Sequence, residues 1–237
     1  MRHLRHLVVA ALALVLCVPS VASAGGPSEL VGQLVAPYAR VDGLNGGEAM
    51  GEMWYRGYTL PAAENQALGN GKPCVRLGRT GSILVGVEFQ PGPCTVERGT
   101  TVFIWGISWA CDNASKDVDP SSYGADEAAQ IRCALKGLRE GVESVRLTVD
   151  GKSVDLHARQ YLICSPQRRV QLRDNPAGYP PGPATFTACG YMAWLKHLPP
   201  GQHMIKTVTT FFGESETHEL PLVINVVAHH DTGGRMP

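Results

Sequence analysis

Two tryptophans and three carboxylates lie close together in one stretch of this chain: Trp105, Trp109, Asp112, Asp117 and Asp119. Aromatic rings stack on sugar faces, and neighbouring acids bind hydroxyls or share acid and base work on a glycosidic bond. These five residues are therefore the candidate ligand-binding or catalytic set, and a polysaccharide is the ligand class they suit. A plainer reading competes. Alternate residues of a strand point the same way, so Trp105 and Trp109 would both be core, and the acids would form a solvated loop with Ca²⁺ ligation as a further use.

Other chemistry is thinner. Serines and histidines are present, but no Gly-x-Ser-x-Gly elbow positions a nucleophile. His157 and His218 lie beside expected strands, and His197 and His203 flank a turn, where structural or exposed histidines are common. Cys189 with His197, His203 and Met204 faintly matches the Cys-His-Met order of a blue-copper loop, yet a disulfide explains Cys189 without a metal. His229-His230-Asp231 sits in a polar tail. No metal site and no cofactor is expected.

The elements that must position these residues read as follows. Residues 28–35 suggest a short helix in a Gly-rich lead-in. Glu48–Tyr58 carries Met50, Met53, Trp54 and Tyr58 at helical spacing, to dock on the main domain or to present Trp54 and Tyr55 to a ligand. Ser82–Phe89 and Thr100–Ala110 are rich in β-branched and aromatic residues and predict strands. Ala125–Glu140 predicts a helix with Ala128, Ile131, Leu135 and Leu138 on one stripe and Gly141 as its stop. Val145–Val149 alternates, and Asp150-Gly151 is a two-residue hairpin signal. Arg159–Cys164, Gly190–Leu198, His203–Phe212 and Glu219–Val227 predict further strands, with Asn175–Pro183 as a Pro- and Gly-rich loop.

The chain begins with basic Arg2 and Arg5, an apolar run from Leu7 to Val18, and Val21-Ala22-Ser23-Ala24. That order predicts a secretory signal cut between Ala24 and Gly25. The run is shorter than the roughly 20 residues a membrane span needs. Leu16 before Cys17 is too large for a lipidation site, so acylation there is the minor alternative. Loss of residues 1–24 removes two of the 21 basic side chains and none of the 21 acidic ones. A near-neutral chain without a basic stripe is a poor nucleic-acid binder.

Six cysteines remain: Cys74, Cys94, Cys111, Cys133, Cys164 and Cys189. In an exported chain an even set predicts a disulfide framework, and six cysteines allow 15 connectivities. Sequential pairing is preferred, each closed loop holding about two dozen residues and contributing roughly 3 kcal/mol.

The order of several motifs resembles a family of small secreted bacterial proteins of uncharacterised function. Those motifs are Gly81-Ser82-Ile83-Leu84-Val85-Gly86, the Cys-x-Val-x-x-Gly segment Cys94–Gly99, Val149-Asp150-Gly151, and Leu198-Pro199-Pro200-Gly201-Gln202-His203. The resemblance spans most of residues 48–227 and implies the cysteine order through Cys133. Trp105–Ala110 departs from the family's Phe-Pro-x-x-Asn, and Cys164 and Cys189 look like additions.

The chain thus reads as mainly β: an immunoglobulin-like sandwich over residues 70–228 with one inserted helix. Residues 25–69 form a helical N-terminal extension, and 229–237 a disordered tail. A secreted or periplasmic binding or envelope-associated role is expected, with a glycan or envelope component as partner and no nucleic acid or membrane span. The alternative is a small secreted enzyme acting on polysaccharide through Asp112–Asp119.

Overall fold

The computed structural model of the protein describes residues 32–59, 73–86, 92–173, 179–213 and 217–228. The expected signal, Cys17 and the His229–Asp231 tail lie outside these residues. In chain order the strands are β1 (Leu34–Val35), β2 (Cys74–Leu77), β3 (Ile83–Gly86), β4 (Pro93–Glu97), β5 (Thr101–Asp112) and β6 (Val142–Val149). Then come β7 (Lys152–Asp155), β8 (Leu162–Cys164), β9 (Arg168–Leu172), β10 (Gly182–Leu195), β11 (Gly201–Phe211) and β12 (Thr217–Val227). The helices are α1 (Gly46–Thr59) and α2 (Glu127–Gly141).

These strands form two sheets. The larger has seven strands in the order β1-β10-β5-β3-β2, with β8 and β9 also on β10; the smaller runs β4-β12-β11-β6-β7. Long β10 has β5 along one side and the short β9, β8 and β1 end to end along the other. Ile104, Leu147, Leu156, Ile205 and Ile224 fill the space between the sheets, and Leu138 of α2 belongs to the same core. Helix α1 covers the opposite face of the larger sheet, burying Met50 and Met53 with Phe103, Met192 and Trp194. The chain is therefore a two-sheet β-sandwich with a helix packed outside one sheet.

Local sequence explains the helix starts. Asn45 Oδ1 accepts from the Glu48 N–H at 2.9 Å, and Glu48 Oε2 accepts from the Asn45 N–H at 2.8 Å, a capping box. Asp126 caps α2 by accepting from the Ala129 N–H. One face of α1 is glycine, and a Cβ at Gly47 would overlap the Cys164 carbonyl oxygen. That close approach seats the helix directly on strand backbone.

Several expectations change. Leu34–Val35 is a strand on β10, not the end of a helix, because the paired β10 edge supplies hydrogen-bond partners a two-residue stub cannot find alone. Arg159–Tyr161 is a 3₁₀ turn, and only Leu162–Cys164 is strand. The start of β10 lies in the stretch expected to be loop, with Pro183 near the strand's first residue, where a missing N–H is tolerated. Helix α2 buries Gln130, Ala134 and Leu138, while Ala128 is exposed. Polar Gln130 is inside because the sheet gives it partners: its amide nitrogen donates to the Thr185 carbonyl, and its oxygen accepts from Thr187 Oγ1. Helix α2 does end at Gly141 as expected, and the chain passes straight into β6 at Val142.

The cysteines pair sequentially as Cys74–Cys94, Cys111–Cys133 and Cys164–Cys189. The first joins the two sheets, the second ties α2 to β5, and the third links facing residues of β8 and β10. Cys189 is therefore not a metal thiolate. Three disulfides fit a chain that matures in an oxidising compartment. Among the described residues no helix is long and apolar enough to cross a membrane.

Candidate functional site

Strand β5 decides where the candidate residues go. Its pairing with β10 runs Tyr191–Ile107 and then Met192–Trp105, leaving Gly106 as an extra residue in a bulge. A bulge resets the in–out alternation of a strand. Trp105 consequently points to the α1 side, 6.4 Å from Trp54, whereas Trp109 packs in the sandwich-side core. Strict alternation would have put both on one face; the structure puts them on opposite faces. A Cβ at Gly137 of α2 would stand 2.7 Å from the Trp109 indole, so the helix lies flat on that ring.

Asp112 ends β5 on the α1 side and is 1% exposed. Its Oδ1 accepts from the N–H groups of Ala114 and Ser115 at 2.8 and 2.7 Å, and its Oδ2 accepts from the Tyr58 hydroxyl at 3.0 Å. Tyr58 stacks near Phe186 and Tyr179. Asp119 accepts from the Ser121 and Ser122 hydroxyls and from the Ser121 N–H, capping the next turn. Asp117 is exposed on the intervening turn. Of the five candidates, Asp112 and Asp119 act on the same pair of tyrosines, while Trp109 lies on the far side of the sheet.

Sequence reasoning missed the ring partners of Asp112. Tyr58 was legible only as a helix residue, and Tyr179 stands in a Pro-rich segment without periodicity. Burial and the Asp112 charge push the Tyr58 hydroxyl well above the ordinary tyrosine range. Burial and the charges of Asp112 and Asp119 push Tyr179 up to about 12, while the Ser121 and Ser122 hydroxyls draw Asp119 below the usual carboxylate range.

A titration tests this arrangement. Tyr179 is raised in the folded state, so its neutral form contributes stability that is fully present below its ordinary value of 10.0 and is lost as the pH climbs through about 12. Tyrosinate absorbance should therefore show Tyr58 and Tyr179 staying protonated while exposed tyrosines ionise. Tyr179→Phe should remove a component near the upper value. If all tyrosines titrate together with no loss of fold, the proposed coupling to Asp112 is absent.

The other face of the same region is open. β9 and β10 continue past the smaller sheet and past the start of α2. There Arg169 pairs with Thr185, and Gln171 with Pro183, on adjacent strands. Asn113 joins the row: its Oδ1 accepts from the Thr185 N–H at 2.8 Å, and its own N–H donates to the Thr185 carbonyl. With Pro183 they line a groove of about 570 Å³. Among the described residues the Arg169 guanidinium and the Gln171 amide make no hydrogen bond or ion pair. The Asn113 amide nitrogen likewise has no partner.

The histidines are accounted for differently. His203 is buried, its Nδ1 2.7 Å from Asp150 Oδ2 and its Nε2 2.8 Å from the Pro199 carbonyl. His157 packs on Tyr191, and His218 meets Phe211 edge-on. Among the described residues no three His, Cys, Asp or Glu side chains gather to hold a metal ion.

No protein-family model and no curated protein matches the chain. Among solved structures, amebosin in solution is similar over 59% of this chain and 90% of its own, at 11% identity and a TM-score of 0.20. A family 123 glycoside hydrolase from Clostridium perfringens, described for glycolipid glycan hydrolysis, is similar over 60% of this chain at 9% identity and a TM-score of 0.25. The chain spans 23% of that hydrolase structure. Likenesses at this level bear on neither fold nor function.

Proposed function

We propose that the chain is an exported, disulfide-stapled domain that works by binding, in the envelope or outside the cell, and belongs to the secreted family whose motif order it carries. The observation that carries this reading is the contrast between the two faces of one region. Asp112 is buried with both oxygens occupied by protein donors, whereas the groove on the reverse face presents the Arg169 guanidinium, the Gln171 amide and the Asn113 amide nitrogen, which have no partner among the described residues. An acid for glycoside cleavage must reach its substrate; groups that stand unused in a fixed row are what a binding surface offers. This supports the binding role over the polysaccharide-cleaving alternative. Two facing sheets agree with an immunoglobulin-like ancestry, while the parallel pairings β3–β5 and β4–β12 stand against it.

The test is a panel of neutral and acidic envelope glycans added to the oxidised chain, followed by thermal shift and by NMR shift changes. Binding should perturb Arg169, Gln171 and Thr185, and Arg169→Ala/Gln171→Ala should abolish it with the melting temperature of the free protein unchanged. A ligand whose binding survives that double substitution would place the working surface elsewhere.

A further inference from the structure

We infer that the β9–β10 groove takes a carboxylate-bearing saccharide, the carboxylate seated on Arg169 and the hydroxyls on Gln171 and Asn113; this rests on the binding role proposed above. The floor of the groove is a sheet face, not an edge. Strands β9 and β10 pair with each other across it, from Gly182 opposite Leu172 to Phe186 opposite Arg168. An extended peptide that adds to a sheet reads exposed edge backbone, which here lies along the outer side of β9 and not on this face. Recognition there falls on side chains alone.

Those side chains have a defined chemistry. Arg169 brings a planar fork of donors that matches a carboxylate with two parallel bonds. The free amide of Gln171 both donates and accepts, and the Asn113 nitrogen donates, which suits hydroxyls that do the same. Thr185, between them, is held by Gln130 through both its hydroxyl and its carbonyl, so the row is fixed before a ligand arrives. The carboxylates at the start of α2 are employed elsewhere: Asp126 caps the helix, and Glu127 accepts from the Gln167 N–H. Arg168, the neighbour in sequence, points to the other face, where Glu52 and the Tyr55 ring hold it. Arg169 is thus the cation the groove keeps for a ligand.

An open polar groove without an aromatic ring gives weak binding, on the order of 0.1–1 mM. One exposed charge also makes it sensitive to salt. Short oligomers of galacturonate, alginate and hyaluronan, each beside its methyl-esterified neutral form, are titrated into the full oxidised chain by NMR. At least one acid form should bind about tenfold more tightly than its ester. Arg169→Ala should erase that difference, Arg169→Lys should restore part of it, and Arg98→Ala, at the far end of β4, should change nothing. Acid and ester bound equally at the groove would overturn the carboxylate inference while leaving the binding role standing. No groove shift with any acid or neutral glycan, including the wider panel above, would remove both.

Discussion

Replacing Asp112 with alanine should destabilise the protein by roughly 3–5 kcal/mol, because it strands three donors at a site closed to water. The Tyr58 hydroxyl and the Ser115 N–H are buried, and the Ala114 N–H is partly so. The turn after β5 is built on those bonds, so unfolding in urea should shift to a lower midpoint. Asp112→Asn separates this structural role from a catalytic one. An asparagine oxygen can still accept both backbone N–H groups, and its nitrogen can donate to the Tyr58 oxygen, so the loss should be about 1 kcal/mol. The same change removes a negative charge, and Tyr58 and Tyr179 should then ionise at lower pH than in the native chain. Ser115→Ala keeps the N–H that Asp112 needs and discards a buried hydroxyl with no partner among the described residues. It should leave stability within about 1 kcal/mol. If Asp112→Ala is as mild as Ser115→Ala, the carboxylate does not organise this turn.

Gly47→Ala should be the most damaging of the small changes on α1, at about 3 kcal/mol, since the added carbon meets backbone that cannot step aside. It would overlap the Cys164 carbonyl oxygen and stand 3.0 Å from its carbon, on a strand fixed by the Cys164–Cys189 bond. The helix must lift, exposing Met50 and Met53 and drawing Tyr58 away from Asp112. For a chain of this size that corresponds to a fall of about 6–12 °C in melting temperature. Gly57→Ala on the same helix meets nothing within 4 Å and should be neutral or stabilising by up to about 1 kcal/mol. Because Gly47→Ala also weakens the Tyr58–Asp112 bond, combining it with Tyr58→Phe should cost less than the two changes added. Strict additivity would show that α1 stays seated and that the two contacts are independent.

Local chemistry in the sequence reaches far into this molecule. The Asp150-Gly151 hairpin is present, with φ of 49° and 80° at its two central residues, the pattern of a type I′ turn. Asn45-x-x-Glu48 writes the start of α1, and the even cysteine set writes a disulfide framework, because capping and turn geometry depend on residues within a few positions of one another. Alternation along β6 and β12 likewise names their inward sides, since one face of each meets the core.

What lay beyond the sequence depended on partners distant in the chain. The motifs Val149-Asp150-Gly151 and Leu198–His203 read as two separate turns, yet His203 binds both Asp150 and the Pro199 carbonyl, so they are one unit across β6 and β11. Gln130, outside the apolar stripe expected for its helix, is buried because β10 supplies its hydrogen bonds. Above all, the stretch from Trp105 to Asp119 has the composition of a sugar site, and composition cannot count strand residues against a partner. One extra residue at Gly106, visible only in the pairing with β10, sends Trp105 and Trp109 to opposite faces. By itself the sequence determined which residue types the region holds. Only the tertiary structure decided that Asp112 faces inward to Tyr58 while the unused polar groups stand on the reverse side, because register and burial are properties of paired strands and not of either strand alone.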